Sequence, residues 1–76
     1  MDTVGIGLLG TGFIAEIHAR NYARFVPDAR VEAVVGRDEA KTHAFAERHG
    51  IPRWFTDYRK ALAVDEVQIA DVCLPN

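Results

Sequence analysis

Short apolar stretches alternate along this chain with longer segments in which apolar residues recur at helical spacing. Val4 to Leu9 is an unbroken run of apolar and glycine residues, which is typical of a strand buried on both faces of a parallel sheet. From Phe13 the spacing becomes helical and predicts a helix that ends before Pro27, because proline disfavours helix in the preceding residue. The apolar stripe of this helix consists of Ala15, Ala19, Tyr22 and Val26, widened by Ile14 and Ile17.

The middle of the chain repeats this strand-then-helix pattern. Val31 to Val35 is rich in β-branched residues and predicts a second strand. Asp38 is a suitable N-cap for a second helix, and Gly50 is a suitable residue to end it. Arg53 to Phe55 follows as a third candidate strand.

The last third of the chain predicts a short helix over Tyr58 to Val64 and a fourth strand over Val67 to Leu74. Strands and helices therefore alternate with short connections, which is typical of an α/β fold with a parallel sheet and right-handed crossovers. We predict a partial Rossmann (doubly wound) fold with a four-stranded parallel sheet in the order 3-2-1-4. Residues 1–76 would be the N-terminal portion of that domain, with its remainder and a substrate domain outside the chain.

Composition excludes several classes of partner. The chain has 76 residues, 49% of them hydrophobic and 26% charged, as in ordinary globular proteins. Its net charge of -2 offers no general attraction to nucleic acid or to an anionic membrane. The apolar runs are shorter than the roughly 20 residues of a membrane span. With no basic leader before the first strand and a single cysteine, we expect a cytoplasmic protein without disulfides.

The glycine turn after the first strand carries the strongest chemical signal. It reads Gly10-Thr11-Gly12-Phe13-Ile14-Ala15, and it lies between a buried strand and an amphipathic helix. In such a turn Gly10 permits the tight bend, Gly12 lets the backbone approach a pyrophosphate, and Ala15 allows close packing of helix on strand. This context favours a dinucleotide site over a purely structural turn. No Gly-Lys-Ser or Gly-Lys-Thr follows, so a nucleotide triphosphatase loop is excluded, and a methyltransferase remains a minor alternative.

The end of the second strand bears on which dinucleotide binds. NAD-binding folds usually place a carboxylate there for the adenosine ribose, but this chain has Gly36 and Arg37. A guanidinium can bond a 2′-phosphate in a forked pair, so we expect NAD(P) binding with NADP favoured over NAD. Two alternatives stay open: Arg37 is a solvated surface residue, or Asp38 reaches the ribose and permits NAD.

Three segments together resemble the Gfo/Idh/MocA family, named for glucose-fructose oxidoreductase and inositol dehydrogenase. They are Gly5 to Ala15 with His18 on the following helix, Trp54 to Tyr58, and Val72 to Asn76. The resemblance implies an oxidoreductase that transfers a hydride between nicotinamide and a hydroxyl-bearing carbon of a sugar, polyol or similar small molecule. It also implies that Pro75 and Asn76 lie beside the cofactor.

The resemblance leaves the catalytic residues outside the chain. The family's proton-transfer lysine belongs to a Glu-Lys-Pro motif that this chain does not contain, and Lys41 and Lys60 lie in the wrong places for that role. We therefore assign no catalytic residue. A non-catalytic NAD(P)-binding or sensor module is the competing interpretation, a truncated fragment without independent activity is a third, and a homo-oligomer is left open.

Several residues invite a reactive or metal-binding role that the pattern does not support. His18, His43 and His49 are scattered over two predicted helices without matching ligands, so we expect no metal site. Cys73, within an apolar strand, is expected to be a small core residue. Asp71 lies in the same strand and needs a polar partner, which the sequence does not identify.

Overall fold

The computed structural model describes residues 3–73, and within them seven elements follow one another in the predicted order. These elements are β1 (Val4–Leu9), α1 (Phe13–Phe25), β2 (Ala29–Val35), α2 (Glu39–His49), β3 (Arg53–Phe55), α3 (Tyr58–Leu62) and β4 (Ile69–Val72). None of the helices in this part of the chain has the length and apolar character needed to cross a membrane.

The four strands form one sheet in the order β3-β2-β1-β4, and every neighbouring pair is parallel. This confirms the predicted architecture and strand order. The register between β1 and β2 shifts once, because Ile6 pairs with Val31 while Gly7 pairs with Ala33. Glu32 is thus the extra residue of a bulge, away from the strand ends where the glycine turn lies.

The core is divided between the two faces of the sheet. Successive residues of β2 point to opposite faces, so Val34 faces one side while Ala33 and Val35 face the other. On the Val34 side the buried cluster comprises Leu8, Ala15, Ala19, Phe45, Ala46, Ile51 and Cys73, which brings α1 and α2 onto that face. Ala61 of α3 packs on the opposite face. Helices on both faces define the doubly wound arrangement.

The ends of α2 agree with the local signals. The Asp38 carboxylate accepts a hydrogen bond of 2.9 Å from the Lys41 amide, which caps the helix N-terminus. Gly50 adopts a left-handed conformation with φ of 66° and ends the helix. Short polar and glycine residues therefore set these boundaries without help from distant parts of the chain.

Other boundaries and one helix face differ from the sequence expectation. α3 ends at Leu62 instead of Val64, and β4 spans only Ile69–Val72. The buried stripe of α1 is also narrower than predicted: Ala15 and Ala19 are buried, while Ile14, Ile17 and Val26 are exposed. The small alanine side chains let α1 lie close to the sheet, so only the face centred on them is covered.

Candidate functional site

The glycine turn is held tightly between β2 and β4. Gly10 has φ of 131°, and its amide donates a hydrogen bond of 2.7 Å to the Val35 carbonyl. A Cβ at this position would lie 2.7 Å from the carbonyl oxygen of Cys73. Both the backbone conformation and the close approach of the chain after β4 therefore require glycine at Gly10.

Gly12, by contrast, faces open space. It precedes the first turn of α1 without any side-chain capping bond. Apart from Gly12 and its two chain neighbours, no described residue has an atom within 4 Å of where its Cβ would be. Ala15 packs fully buried against the sheet, whereas the side chains of Phe13 and Ile14 are exposed. A clear space therefore lies at the N-terminus of α1, whose first backbone amides have no partner within the helix, and such an arrangement suits an anion.

The end of β2 lies directly beside this turn. The Gly36 amide donates to the Phe55 carbonyl at 3.2 Å, and a Cβ on Gly36 would meet Thr42 and would lie 2.7 Å from the methyl group of Thr11. Gly36 consequently lets the second strand end against the glycine turn. Arg37, which follows it, is exposed.

A groove of about 560 Å³ opens at the carboxyl ends of the strands, a size within the range of small-molecule sites. Its lining consists of Leu9, Gly10, Val35, Gly36, Arg37, Thr56, Tyr58, Leu62, Ala70 and Val72. The fold thereby brings Gly10 and the Gly36-Arg37 pair to one cavity. The other predicted residues of the turn do not line it: Thr11, Gly12, Phe13, Ile14 and Ala15. Pro75 and Asn76, the other predicted site residues, lie outside the described residues.

Sequence reasoning missed the contribution of the segment after β3 to this groove. Thr56 and Tyr58 line the cavity, although neither was predicted as a site residue. The usable signal was their position, because residues that follow a strand of a parallel sheet gather at its carboxyl edge, where ligands of such folds bind.

The structure identifies the partners of Asp71. Its Oδ2 lies 2.6 Å from His18 Nδ1 and accepts a hydrogen bond of 2.7 Å from the Tyr22 hydroxyl. The Cys73 thiol donates to Oδ1 at 3.5 Å, and its sulfur lies 3.3 Å from His18 Nδ1. We name these four residues the Asp71 cluster. His18 and Tyr22 are four residues apart and so share one face of α1.

Burial and mutual contact change the acidity of this cluster. Burial by itself raises the pKa of Asp71, but hydrogen bonds from Tyr22 and His18 outweigh it and the pKa lies below its ordinary value. Burial, together with the hydrogen bond to Asp71, raises the pKa of Tyr22 to about 12. Burial and the Asp71 charge raise the pKa of Cys73 to about 12 as well, so the thiol keeps its proton at neutral pH.

The atoms of His18, Asp71 and Cys73 that could bind a metal lie within 4.8 Å of one another. The scattered positions of the histidines in the sequence did not reveal this group. Two ligands of one tetrahedral zinc ion lie about 3.3 Å apart, given metal-ligand bonds of about 2.0 Å. The separation of 2.6 Å between His18 Nδ1 and Asp71 Oδ2 is shorter and is that of a hydrogen bond. The cluster is therefore arranged as a hydrogen-bonded network.

The parallel sheet, the helices on both its faces and the glycine turn define a Rossmann domain of the NAD-binding class. More specifically, the chain belongs to the Gfo/Idh/MocA family, because the model of this oxidoreductase family with an NAD-binding Rossmann fold matches residues 4–76. The family resemblance inferred from the sequence is confirmed.

Solved structures with the same fold include several dehydrogenases. Scyllo-inositol dehydrogenase from Lactobacillus casei, with bound NAD(H) and scyllo-inositol, has a TM-score of 0.86 and 23% identity over 97% of this chain and 22% of its own. A probable dehydrogenase from Thermotoga maritima has a TM-score of 0.86 and 27% identity, covering 93% of this chain and 21% of its own. GenD2 from gentamicin A biosynthesis, in complex with NAD, has a TM-score of 0.89 and 32% identity, covering 99% and 21%.

The chain thus spans about a fifth of the length of these solved structures. A search among curated proteins finds no match.

Proposed function

We propose that residues 1–76 form the N-terminal part of the NAD(P)-binding domain of a dehydrogenase. The intact protein would transfer a hydride between the nicotinamide and a hydroxyl-bearing carbon of a sugar, polyol or similar small molecule. The observation that carries the proposal is the clear space around the Cβ position of Gly12, the residue that directly precedes α1. Membership of an NAD-binding oxidoreductase family and the scyllo-inositol and NAD(H) named for one structural neighbour support it.

The groove suggests how the cofactor lies. We place the pyrophosphate at Gly10, Thr11 and Gly12 and at the amides of Phe13 and Ile14, with Ala15 keeping α1 close to the sheet. The adenosine would enter the cavity beside Gly36, Arg37 and Tyr58. The nicotinamide half would lie towards the residues after β4, where Pro75 and Asn76 occur in the sequence. The cofactor supplies the hydride chemistry, and these residues bind and orient it.

A pair of glycine substitutions tests the pyrophosphate site in the intact protein. The methyl groups of Gly12→Ala and Gly50→Ala both enter space that is free of described atoms within 4 Å. We expect Gly12→Ala to weaken NADH and NADPH binding about tenfold or more, since the methyl group occupies the place of the phosphates. Gly50→Ala should leave binding unchanged but cost about 1 kcal/mol of stability, because φ is 66° there.

Isothermal titration calorimetry and thermal melts measure both effects. Equal affinities in Gly12→Ala and the unsubstituted protein would contradict the proposed placement of the pyrophosphate. Oxidation of NADPH or NADH with candidate ketones in the intact protein then separates a dehydrogenase from a non-catalytic binding module, which would bind without turnover.

We further propose that NADP is favoured over NAD. The support is the exposed Arg37 that lines the groove, whereas Asp38 caps α2 and none of the described residues that line the groove is a carboxylate. Arg37→Ala should weaken NADPH binding about tenfold and leave NADH binding nearly unchanged, because only NADPH carries the 2′-phosphate that the guanidinium would bind. Tighter binding of NADH than NADPH, with neither affinity altered by Arg37→Ala, would refute this preference.

A further inference from the structure

The Asp71 cluster places a charged group where packing alone would favour an apolar one. The Asp71 side chain is only 15% exposed, within a strand whose other residues are Ile69, Ala70 and Val72. Burying a carboxylate costs free energy that its hydrogen bonds must offset, and an apolar side chain of similar size would carry no such cost. The advantage of Asp71 therefore lies in the direction of its hydrogen bonds.

Those bonds join α1, which follows the glycine turn in the chain, to β4, whose end lies beside the turn. His18 and Tyr22 lie on α1, which begins directly after Gly12. At the end of β4 the Cys73 amide donates to the Leu9 carbonyl at 2.8 Å, and the Cys73 carbonyl is the group that approaches Gly10. The turn is thus held on one side by backbone contacts with β4 and on the other by α1.

Apart from these hydrogen bonds, the buried residues of α1 are small and apolar. These residues are Ala15 and Ala19, which let the helix lie close to the sheet but have no side-chain group that can form a hydrogen bond. Within residues 3–73, the side-chain hydrogen bonds between α1 and the β4 segment all belong to the Asp71 cluster. Bonds to a charged acceptor are short and directional, so they can define the position of a helix along its axis.

We propose that Asp71 is a positioning residue of the dinucleotide site. Through His18 and Tyr22 it holds the start of α1 at a set position relative to the end of β4, and so sets the position of the amides that would meet the pyrophosphate. This inference rests on the proposed function, since it concerns the same site. Asp71 itself is not among the described residues that line the groove.

Two conservative variants of the intact protein test it. Tyr22→Phe and Asp71→Asn each remove a hydrogen-bonding capacity with little change in shape. We expect each to raise the dissociation constant of NADH by roughly three- to tenfold. This is less than the loss of a whole hydrogen bond to a charged group implies, because the cofactor is affected only through the position of α1. Because both act on one network, the double variant should lose less than the product of the two factors.

Substitution at His18 provides a rescue experiment. The side-chain amide of asparagine can place a donor near the position of Nδ1, so His18→Asn should retain most of the NADH affinity. His18→Leu fills similar space without a donor and should lose affinity to the same extent as Asp71→Asn. If His18 acted through packing alone, His18→Leu would retain more NADH affinity than His18→Asn.

Glu16→Gln is the matched control. Glu16 is also on α1, but it contacts Arg48 and lies 3.0 Å from His49 Nε2, so it ties the helix to α2 and not to β4. We expect Glu16→Gln to lower the thermal midpoint by an amount similar to Tyr22→Phe while leaving NADH affinity unchanged. If the Asp71 cluster contributed only to stability, variants with similar losses of thermal midpoint would show similar NADH affinities.

The outcomes distinguish the two proposals. If the unsubstituted protein binds NADH and Tyr22→Phe and Asp71→Asn bind it with the same affinity, the positioning role is overturned. The proposed dinucleotide site would still stand. A loss of NADH affinity in Glu16→Gln equal to that in Tyr22→Phe would also overturn the positioning role. Failure of the unsubstituted protein to bind NADH or NADPH would overturn the proposed function and this inference together.

Discussion

At the scale of single residues, the surroundings of Cys73 make a lone thiol unreactive. Its side chain is buried, and burial together with the Asp71 carboxylate raises its pKa to about 12. Only the thiolate attacks a disulfide reagent, so the chemistry of this residue depends on how rarely it loses its proton.

We expect Cys73 to react with a disulfide reagent at pH 8 roughly a thousandfold more slowly in the folded protein than in urea, since folding raises its pKa from an ordinary value of 9.0 to about 12. Stopped-flow absorbance measures both rates. Residues 1–76 contain no other cysteine, and Cys73→Ser in the intact protein shows which part of the signal comes from Cys73. Comparable rates in the two states would refute the buried, protonated thiol.

The raised pKa of Tyr22 predicts that the protein loses stability at alkaline pH. Its pKa rises from 10.0 to about 12 in the folded chain, because of burial and the bond to Asp71. The folded state therefore holds this proton more tightly than the unfolded state. The resulting stability is present in full below pH 10 and is lost as pH rises from 10 towards 12.

Thermal midpoints at pH 9 and pH 11 test this expectation in the intact protein. The thermal midpoint of Tyr22→Phe should fall less between pH 9 and pH 11 than that of the unsubstituted protein. Tyr58→Phe is the control, because Tyr58 is 56% exposed and belongs to another element. The same pH dependence in Tyr22→Phe as in the unsubstituted protein would contradict the assignment.

At the scale of elements, α2 shows that a carboxylate at the carboxyl edge of the sheet has a structural role. Asp38 lies just after Arg37, and the sequence left open whether it caps the helix or reaches a ribose. Its bond to the Lys41 amide assigns it to the cap.

Asp38→Ala is expected to lower stability by about 1 kcal/mol, the usual effect of losing such a cap. Urea unfolding of the intact protein gives the value. Asp65→Ala is a suitable control, since Asp65 is exposed and, among the described residues, makes no side-chain hydrogen bond. NADH affinity should not change in either variant, and a selective loss in Asp38→Ala would indicate a ribose contact instead.

At the scale of the whole molecule, β4 lies at one edge of the described sheet and carries exposed apolar residues. Ile69 is 51% exposed and Val72 is 65% exposed, and β4 pairs with β1 on one side only. An open, apolar strand edge can pair with another chain.

We therefore expect the isolated chain of residues 1–76 to self-associate. Sedimentation velocity over a range of concentrations should show species larger than a monomer, and Ile69→Lys should reduce them. Arg53→Lys at the opposite edge strand, which keeps its charge, is the control. A monomeric chain with cooperative melting at all concentrations would contradict this expectation.

Much of the architecture was predictable because it depends on local signals. The apolar run before Gly10, the valines of β2 and the cap at Asp38 each specify their element through neighbours in the sequence. Four strands separated by helices then leave few parallel topologies, so the strand order followed from general rules. The glycine turn could be recognised for the same reason, since its spacing and its flanking elements are contiguous.

The sequence by itself thus determined the order of the elements, the parallel sheet, the glycine turn and the family. Only the tertiary structure decided that Asp71 meets His18 and Tyr22, which are 53 and 49 residues away along the chain. It also brought Tyr58 to the groove and set Gly36 against Thr11. Such contacts depend on how each helix lies on the sheet, and that position results from packing among distant side chains that no local pattern encodes.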